Sequence, residues 1–435
     1  MVKNFLQYAI PSALAMCIAS LNTVLDGVFL GKGVGGLALA SVNIVMPLTI
    51  LFFGLSTMVS VGGGALVSKN FGANNDDHAI KIFRQVMKFL LLASLCLSIV
   101  CSLFAEKIVI LMGATDSLIS LSAEYLRYYS IFCIPNLLGL SLASFLRNDN
   151  RPNLAMISTI IGTICNVYLN YLFIFKLGLG IKSAAIATGL GQIVTVLVQI
   201  PHFLGKKGRL SFGKAKIEIE IIKEIIKVGF PSFVAEVAFS IIILVHNLVL
   251  VKVVGEIGVS VYAIINYITT NIYLVLLGVT LGAQPLISYS FGAKEEDKIL
   301  TYYKLANTTS LCIATAYFLT CLVFGREIIS IFTSDIIIMN MAYIALNLTN
   351  LAYFIIGINL TTTMYYQAIE IPKYSNLIGA LRSILVLPII LILFAKLFSI
   401  NGIWVSMAVS ELITALIAYK FINIKKYTKA ISYYA

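Results

Sequence analysis

About twelve runs of mainly apolar residues follow one another along the chain, each long enough for a helix to cross a bilayer, which takes roughly 20 residues. They lie near 5–30, 37–67, 85–105, 120–146, 154–176, 184–204, 226–251, 259–290, 303–324, 341–366, 376–396 and 402–422, each closed by Gly, Asn or a charge cluster. Lipid offers no partner to a backbone N–H or C=O, so runs of this kind have to be helices. Several exceed 25 residues, which predicts helices that tilt, bend or protrude. Composition points the same way. Of the residues 60% are hydrophobic and only 11% charged, with a mean hydropathy of +0.97. A soluble domain with so little polar material could not cover its own surface. The expectation is an all-α integral membrane protein with twelve transmembrane helices.

The formal charge of +12 would suggest nucleic acid in a soluble protein, but here it reads first as topology and no nucleic-acid partner is expected. With both termini in the cytoplasm, the inner loops collect Lys69, Lys81, Arg84, Arg147, Arg151, Lys206, Lys207, Arg209, Lys214, Lys216, Lys223, Lys294, Lys298, Lys373, Lys425, Lys426 and Lys429. The opposite loops hold mainly Lys32, Lys107, Lys176, Lys182, Lys252, Arg326 and Lys396. That imbalance is the positive-inside pattern. The first run, from Lys3 through Pro11 to Asp26, is read as a spanning helix and not as a cleavable targeting peptide. The densest basic stretch, 205–227, separates two groups of six spans. The domains are therefore expected at 1–204 (helices 1–6), 205–225 (a cytoplasmic linker, part of which could lie along the membrane surface) and 226–435 (helices 7–12).

Seven cysteines all fall in apolar runs, without CxxC pairs, and read as small packing residues. The histidines His78, His202 and His246 form no metal-binding spacing, and no GxxxxGK[ST], HExxH or GxSxG occurs. An enzyme is not expected, nor transport driven by ATP within this chain.

The two halves repeat. Pro11-Ser12 recurs as Pro231-Ser232. Phe71-Gly72-Ala73 recurs as Phe291-Gly292-Ala293, each ahead of an acidic pair (Asp76-Asp77, Glu296-Asp297). Pro152 recurs as Pro372, all at one offset of about 220 residues. Gly180-Ile181 and Gly402-Ile403 match with a two-residue slip. Six spans per repeat give both halves the same orientation in the membrane, a plan used by transporters that rock two halves about a midplane site.

Further residues carry a resemblance over essentially the whole chain. These are Asn22-Thr-Val-Leu-Asp26 with Phe29-Leu-Gly31, Gly62-Gly-Gly64 leading to Phe71-Gly-Ala73, and Asn166-Val-Tyr-Leu-Asn170 with Gly180 to Thr188. In the second half they are Gly229-Phe-Pro231-Ser and Gln284-Pro285 through Ala293. They resemble the multidrug and toxic compound extrusion (MATE) transporters of the multidrug/oligosaccharidyl-lipid/polysaccharide superfamily. The resemblance implies two pseudo-symmetric six-helix lobes in a V around a central cavity, and export driven by entry of Na⁺ or H⁺.

Asp26 is the leading candidate for coupling, because a carboxylate in an apolar helix must be paired, hydrated, protonated or bound to a cation. The plainer reading is a helix-end Asp reaching the interface. Asn22 precedes it by four residues on the same helix face, and Asn166 and Asn170 repeat that spacing on the fifth span. The resemblance gathers Asn22, Asp26, Asn166, Asn170 and Thr188 around one ion site, which would also be the metal site if the ion is Na⁺; otherwise these side chains only bond helix to helix. Some relatives carry Asp at the place of Asn170, which leaves one carboxylate here and the choice between Na⁺ and H⁺ open.

Pro11 is expected to bend its helix in a way that serves gating, as Pro47, Pro135, Pro231, Pro285 and Pro388 could, although static kinks are as common. Glu236, His246, Asn247 and Gln284 are candidates to line a cavity in the second half, and Glu411 also falls within a span. The expected function is export of small amphipathic or cationic compounds by antiport with Na⁺ or H⁺, with no other cofactor, by a monomer in lipid of a prokaryotic plasma membrane. The alternatives are a flippase for lipid-linked sugars, opposed by Lys and Arg that sit nearly all in loops, and a membrane enzyme.

Overall fold

In the computed structural model, residues 1–205 and 207–421 are described. Lys206, Lys425, Lys426 and Lys429, which entered the topology argument, lie outside them, as do residue 422 of the expected last span and the rest of the 226–435 domain.

Helices build the first half as α1 (Val2–Gly33), α2 (Gly36–Gly72), α3 (Asp76–Leu103), the short α4 (Ala105–Leu111), α5 (Asp116–Ile131), α6 (Cys133–Asn148), α7 (Pro152–Tyr171) and α8 (Lys182–Leu204). The second half follows as α9 (Ile219–Val253), α10 (Glu256–Gly292), α11 (Glu296–Ser330), α12 (Ile336–Asn350), α13 (Tyr353–Ala368), α14 (Pro372–Ala380) and α15 (Val386–Phe421). No strand forms among the described residues.

Nine of these stretches are long and apolar enough to cross a membrane, and two bent pairs bring the total to eleven. The pairs are α5 with α6, bent by 52°, and α12 with α13, bent by 42°. The stretch Pro372–Lys420 holds 49 residues and contains two of the expected spans, divided at Ser399, whose φ of 53° and ψ of −137° are not helical. Twelve spans result, and the chain is a multi-pass membrane protein. Several observed helices overrun the apolar runs by a few residues, and at α3 and α12 a side chain caps the polar end. Asn75, for example, accepts the His78 N–H (3.3 Å) ahead of the Asp76-Asp77 first turn of α3.

The repeat is written into the backbone. Asn74 (φ 57°) and Lys294 (φ 59°) close α2 and α10 in left-handed conformation. Each is followed by an N–H that reaches back to close the helix end, Asn75 to the Asn70 carbonyl (2.8 Å) and Glu295 to that of Ser290 (2.9 Å). Asn150 (φ 59°) and Glu370 (φ 60°) do the same after α6 and α13, each two residues before a proline that opens the next helix. The bends at Phe132 and at Leu351-Ala352 also correspond, and Pro135 falls in the first turn after the first of them. The π turns break the symmetry, Leu172–Lys176 coming after α7 but Leu381–Leu385 between α14 and α15.

Two compact units form, one from Leu14–Phe233, the other from Met1–Ala13 with the described residues from Val234 onward. These limits differ from 1–204 and 226–435 in a reciprocal way: the first turns of α1 belong with the second half, and the first turns of α9 with the first half. Glycines make both arrangements. In one unit a Cβ on Gly282 of α10 would stand 2.7 Å from the Tyr8 carbonyl. In the other, a Cβ on Gly62 of α2 would run into the Ile225 carbonyl and the Gly229 N (2.8 Å). Pro11 and Pro231 sit just before the two crossing points, and both helices run on through them unbroken.

The expected linker 205–225 is not a free connection. From Ile219 it is already helical, and 207–218 is an extended strap held to α3. Arg84 donates to the Ser211 carbonyl (3.1 Å), Gln85 exchanges bonds with the Lys216 carbonyl (2.6 Å) and the Glu218 N–H (3.1 Å), and Lys81 pairs with Glu218 (2.8 Å). Arg209 pairs with Asp76 and covers the Phe71 ring at 3.9 Å. Buried Asp149 takes His202 Nε2 (2.7 Å) and the Arg209 N–H (2.9 Å), while Phe212 packs on Phe83 (5.5 Å). Of the strap's described basic residues, Arg209 spends its charge on Asp76 at the start of α3, while Lys207, Lys214 and Lys216 are exposed.

Candidate functional site

The five residues expected around one ion come together inside the first-half unit. Its α7 and α8 meet at glycine: a Cβ on Gly191 would stand 2.8 Å from the Gly162 carbonyl and 2.9 Å from Cβ of Asn166. That close approach brings Asn166 beside Thr188, to whose hydroxyl it donates (Nδ2–Oγ1 3.2 Å). One turn on, Asn170 donates through Nδ2 to Asn166 Oδ1 (3.2 Å) and to Asp26 Oδ1 (2.6 Å). The other Asp26 oxygen accepts from Asn22 Nδ2 (3.3 Å). The C-terminal end of α1 lies against the π turn that follows α7, Phe29 edge-on to Phe175 at 5.8 Å, three residues beyond Asp26.

Asn170 is fully buried and Asn166 nearly so, while Asp26, Asn22 and Thr188 are half-buried. Two amide oxygens in this group, Asn22 Oδ1 and Asn170 Oδ1, are buried without a hydrogen-bond partner. Leaving a buried acceptor unsatisfied costs about 1–3 kcal/mol. A carboxylate with such oxygens beside it is a donor set of hard ligands that suits a small cation such as Na⁺, and the carboxylate alone could take a proton. A nitrogen- or thiolate-loving metal finds nothing comparable, since no group of three His, Cys, Asp or Glu gathers among the described residues.

Pro11 does not adjoin this site. Fifteen positions of continuous helix separate it from Asp26, about 22 Å at the helical rise. Among the described residues, no hydrogen bond joins one second-half candidate to another. His246 is buried, its Nδ1 on the Ile242 carbonyl (2.9 Å) and its ring stacked on Tyr262 (5.0 Å), which stacks on Trp404. Gln284 is buried in packing and reaches Ser288 on its own helix (3.4 Å). Asn247 is half-buried, as is Glu236, which lies within electrostatic reach of Tyr273.

The sequence reading passed over Arg382. It lies within the expected span 376–396, an arginine in an apolar run, which is itself a signal. Its Nε bonds Glu411 Oε1 at 2.5 Å, and Asn359 Nδ2 donates to the other Glu411 oxygen at 2.7 Å. The pair is nearly out of solvent, with side-chain exposures of 11% and 3%.

A repeated helical membrane bundle with a buried chain of carboxylate and carboxamides defines a protein built on the plan of a membrane transporter. The family model described as MatE matches residues 11–172 and again 231–392, both starts and both ends 220 residues apart, and the chain belongs to that family. It is similar to the multidrug export protein MepA of Staphylococcus saprophyticus, 25% identical over 422 residues that cover 96% of this chain and 92% of the relative. MepA of a bovine Staphylococcus aureus strain is 24% identical with the same coverage. Among solved structures, a MATE protein in complex with MaD3S superposes with a TM-score of 0.93 at 22% identity, covering 99% of this chain and 97% of that one. An outward-facing multidrug resistance MATE family transporter does so with a TM-score of 0.93 at 21% identity, covering 99% and 96%.

Proposed function

We propose that this protein exports small amphipathic or cationic compounds by antiport, driven by entry of Na⁺ or H⁺ at Asp26. The observation that carries the reading is the Asn22–Asp26–Asn170–Asn166–Thr188 hydrogen-bond chain, with its two unsatisfied amide oxygens, inside the first-half unit. The names of the staphylococcal relatives, multidrug export proteins, support the same activity. In this reading Asp26 holds the ion, Asn22 and Asn170 offer their free oxygens to it, and Asn166 and Thr188 orient Asn170. Ion entry shifts the balance between two arrangements of the repeat units, with α1 and α9 as the helices shared between them. The reading places the protein as a monomer in a bacterial plasma membrane with both termini in the cytoplasm.

The test is efflux of organic cations from reconstituted vesicles under an imposed Na⁺ or H⁺ gradient, comparing wild type with Asp26→Asn. Efflux driven by one gradient and lost in the variant supports the reading, and the effective gradient names the ion. A folded variant that pumps like wild type makes Asp26 structural. No response to either gradient, in both proteins and across a broad set of cations, turns the reading toward a lipid-linked sugar flippase.

A further inference from the structure

The strap is held along one face of α3. Lys81, Arg84, Gln85 and Lys88 stand at the spacing of a single helix face, and each takes part in the hold. Lys81 pairs with Glu218, Arg84 bonds the Ser211 carbonyl and Gln85 the Lys216 carbonyl; last in line, Lys88 Nζ donates to the Ala215 carbonyl at 3.1 Å. Beyond Lys88 the same face continues as Leu91, Leu92, Leu95 and Ile99, which are between 45% and 51% exposed. These four belong to a spanning helix, so what they are exposed to is lipid. Lys88 therefore marks the level at which this face passes from strap to hydrocarbon. At the repeat offset of 220 its counterpart in α11 is Thr308.

At that level the strap turns positive. Lys214 and Lys216 flank Ala215, and both are exposed. Among the described residues no carboxylate pairs with Lys88, Lys214 or Lys216. The two carboxylates that follow in sequence are taken, Glu218 by Lys81 (2.8 Å) and Glu220 by Lys223 (3.0 Å). Between and beside these charges stand Ile217 and Ile219, which are 42% and 67% exposed. A connection lying wholly in water gains nothing from two open isoleucines. Apolar side chains next to free ammoniums are favoured where headgroups meet hydrocarbon.

We propose that this surface binds an anionic phospholipid. Its phosphate meets the ammoniums of Lys88, Lys214 and Lys216, Ile217 and Ile219 enter the headgroup region, and an acyl chain runs along the stripe from Leu91 to Ile99. Three cations with no carboxylate among them favour a headgroup that carries no ammonium of its own, so the lipid is of the phosphatidylglycerol kind and not a choline or ethanolamine lipid. In the orientation proposed above it lies in the inner leaflet. Because Gln85 and Lys88 fix the strap backbone to α3, the bound lipid ties the chain between the repeats to the bilayer surface.

Native mass spectrometry of the purified, full-length protein in a neutral detergent counts the lipids retained as dioleoylphosphatidylglycerol or dioleoylphosphatidylcholine is titrated in. Wild type is expected to bind the first phosphatidylglycerol about tenfold or more tightly than phosphatidylcholine. Lys88→Gln, Lys214→Gln and Lys216→Gln combined remove the ammoniums, leave a donor for the Ala215 carbonyl, and are expected to cut that preference below about threefold. The control combines Lys32→Gln, Lys107→Gln and Lys396→Gln, exposed lysines assigned to the opposite side of the membrane, and is expected to keep the preference. Melting curves establish that both variants are folded. Equal affinity of wild type for the two lipids, a strap variant that keeps the preference, or a control that loses it as fully each overturns the site. So does displacement of the lipid by millimolar inorganic phosphate, which would make this a site for a free anion. Neither a gradient nor a substrate enters the measurement, so its outcome is separate from that of the vesicle assay.

Discussion

Asn170 stands between two acceptors: its one NH₂ group serves both Asp26 and Asn166, while its own oxygen is left without a partner. A hydrogen bond to a charged group is worth about 1.5–3 kcal/mol and a neutral one about 1 kcal/mol, so the effect of a substitution should fall with distance along the chain from Asp26. Asn170→Leu is expected to reduce gradient-driven efflux roughly 10- to 100-fold, Asn166→Leu less, and Thr188→Val only a few-fold. Initial efflux rates at matched protein content give the ranking. A Thr188→Val variant as damaged as Asn170→Leu would mean that the side chains act separately and not in series. The spacing of Asn22 with Asp26 and of Asn166 with Asn170 was legible in the sequence because four residues return a helix to the same face. That Asn170, and not Asn166, meets Asp26 was not legible, because it depends on α1 reaching across 144 residues to α7. Arg382 escaped for the opposite reason. Counting basic residues by loop treats a charge as topology, and a charge within a span only makes sense once its partner is found.

At the level of elements, the least legible feature is the reciprocal placement of the first turns of α1 and α9. Their apolar patterns are those of any spanning helix, and nothing local says which unit will receive them. The trace is in the partner helices, where Gly282 and Gly62, also 220 residues apart, leave room for backbone to touch backbone. Backbone cannot move aside as a flexible side chain can. Gly282→Val is therefore expected to destabilise the protein by about 3 kcal/mol or more, seen as a lower melting temperature in detergent, with loss of transport even though no polar group is touched. An unchanged melting temperature would show that the first turns of α1 are free to shift. The strap permits a second prediction at this scale. Asp149 is buried and takes His202, Arg209 N–H and Leu210 N–H, so Asp149→Ala leaves several buried donors without an acceptor. About 3 kcal/mol of destabilisation is expected, against less than about 1 kcal/mol for Asp76→Ala, whose ion pair with Arg209 is partly exposed (34% and 47%). Limited proteolysis between residues 207 and 218, faster in the first variant than in the second, reads the difference.

At the scale of the whole molecule, the twelve spans and the repeat were legible because lipid allows one kind of secondary structure and because an offset of 220 residues keeps its punctuation, the prolines and turn residues. What the repeat conceals is function, since equal folds now hold unequal chemistry. The first half has a carboxylate with free amide oxygens; at the same positions the second half has a stacked imidazole, Ile and Val. None of those three supplies an anionic oxygen, and Glu411, the buried carboxylate further along, already has Arg382 as its permanent cation. Only one exchangeable coupling cation is therefore expected per transport cycle, despite two homologous units. Export of a monovalent organic cation against one Na⁺ or H⁺ would then be electroneutral, and its rate should be unaffected by a membrane potential clamped with K⁺ and valinomycin. A rate that rises with an inside-negative potential would require a second coupling ion.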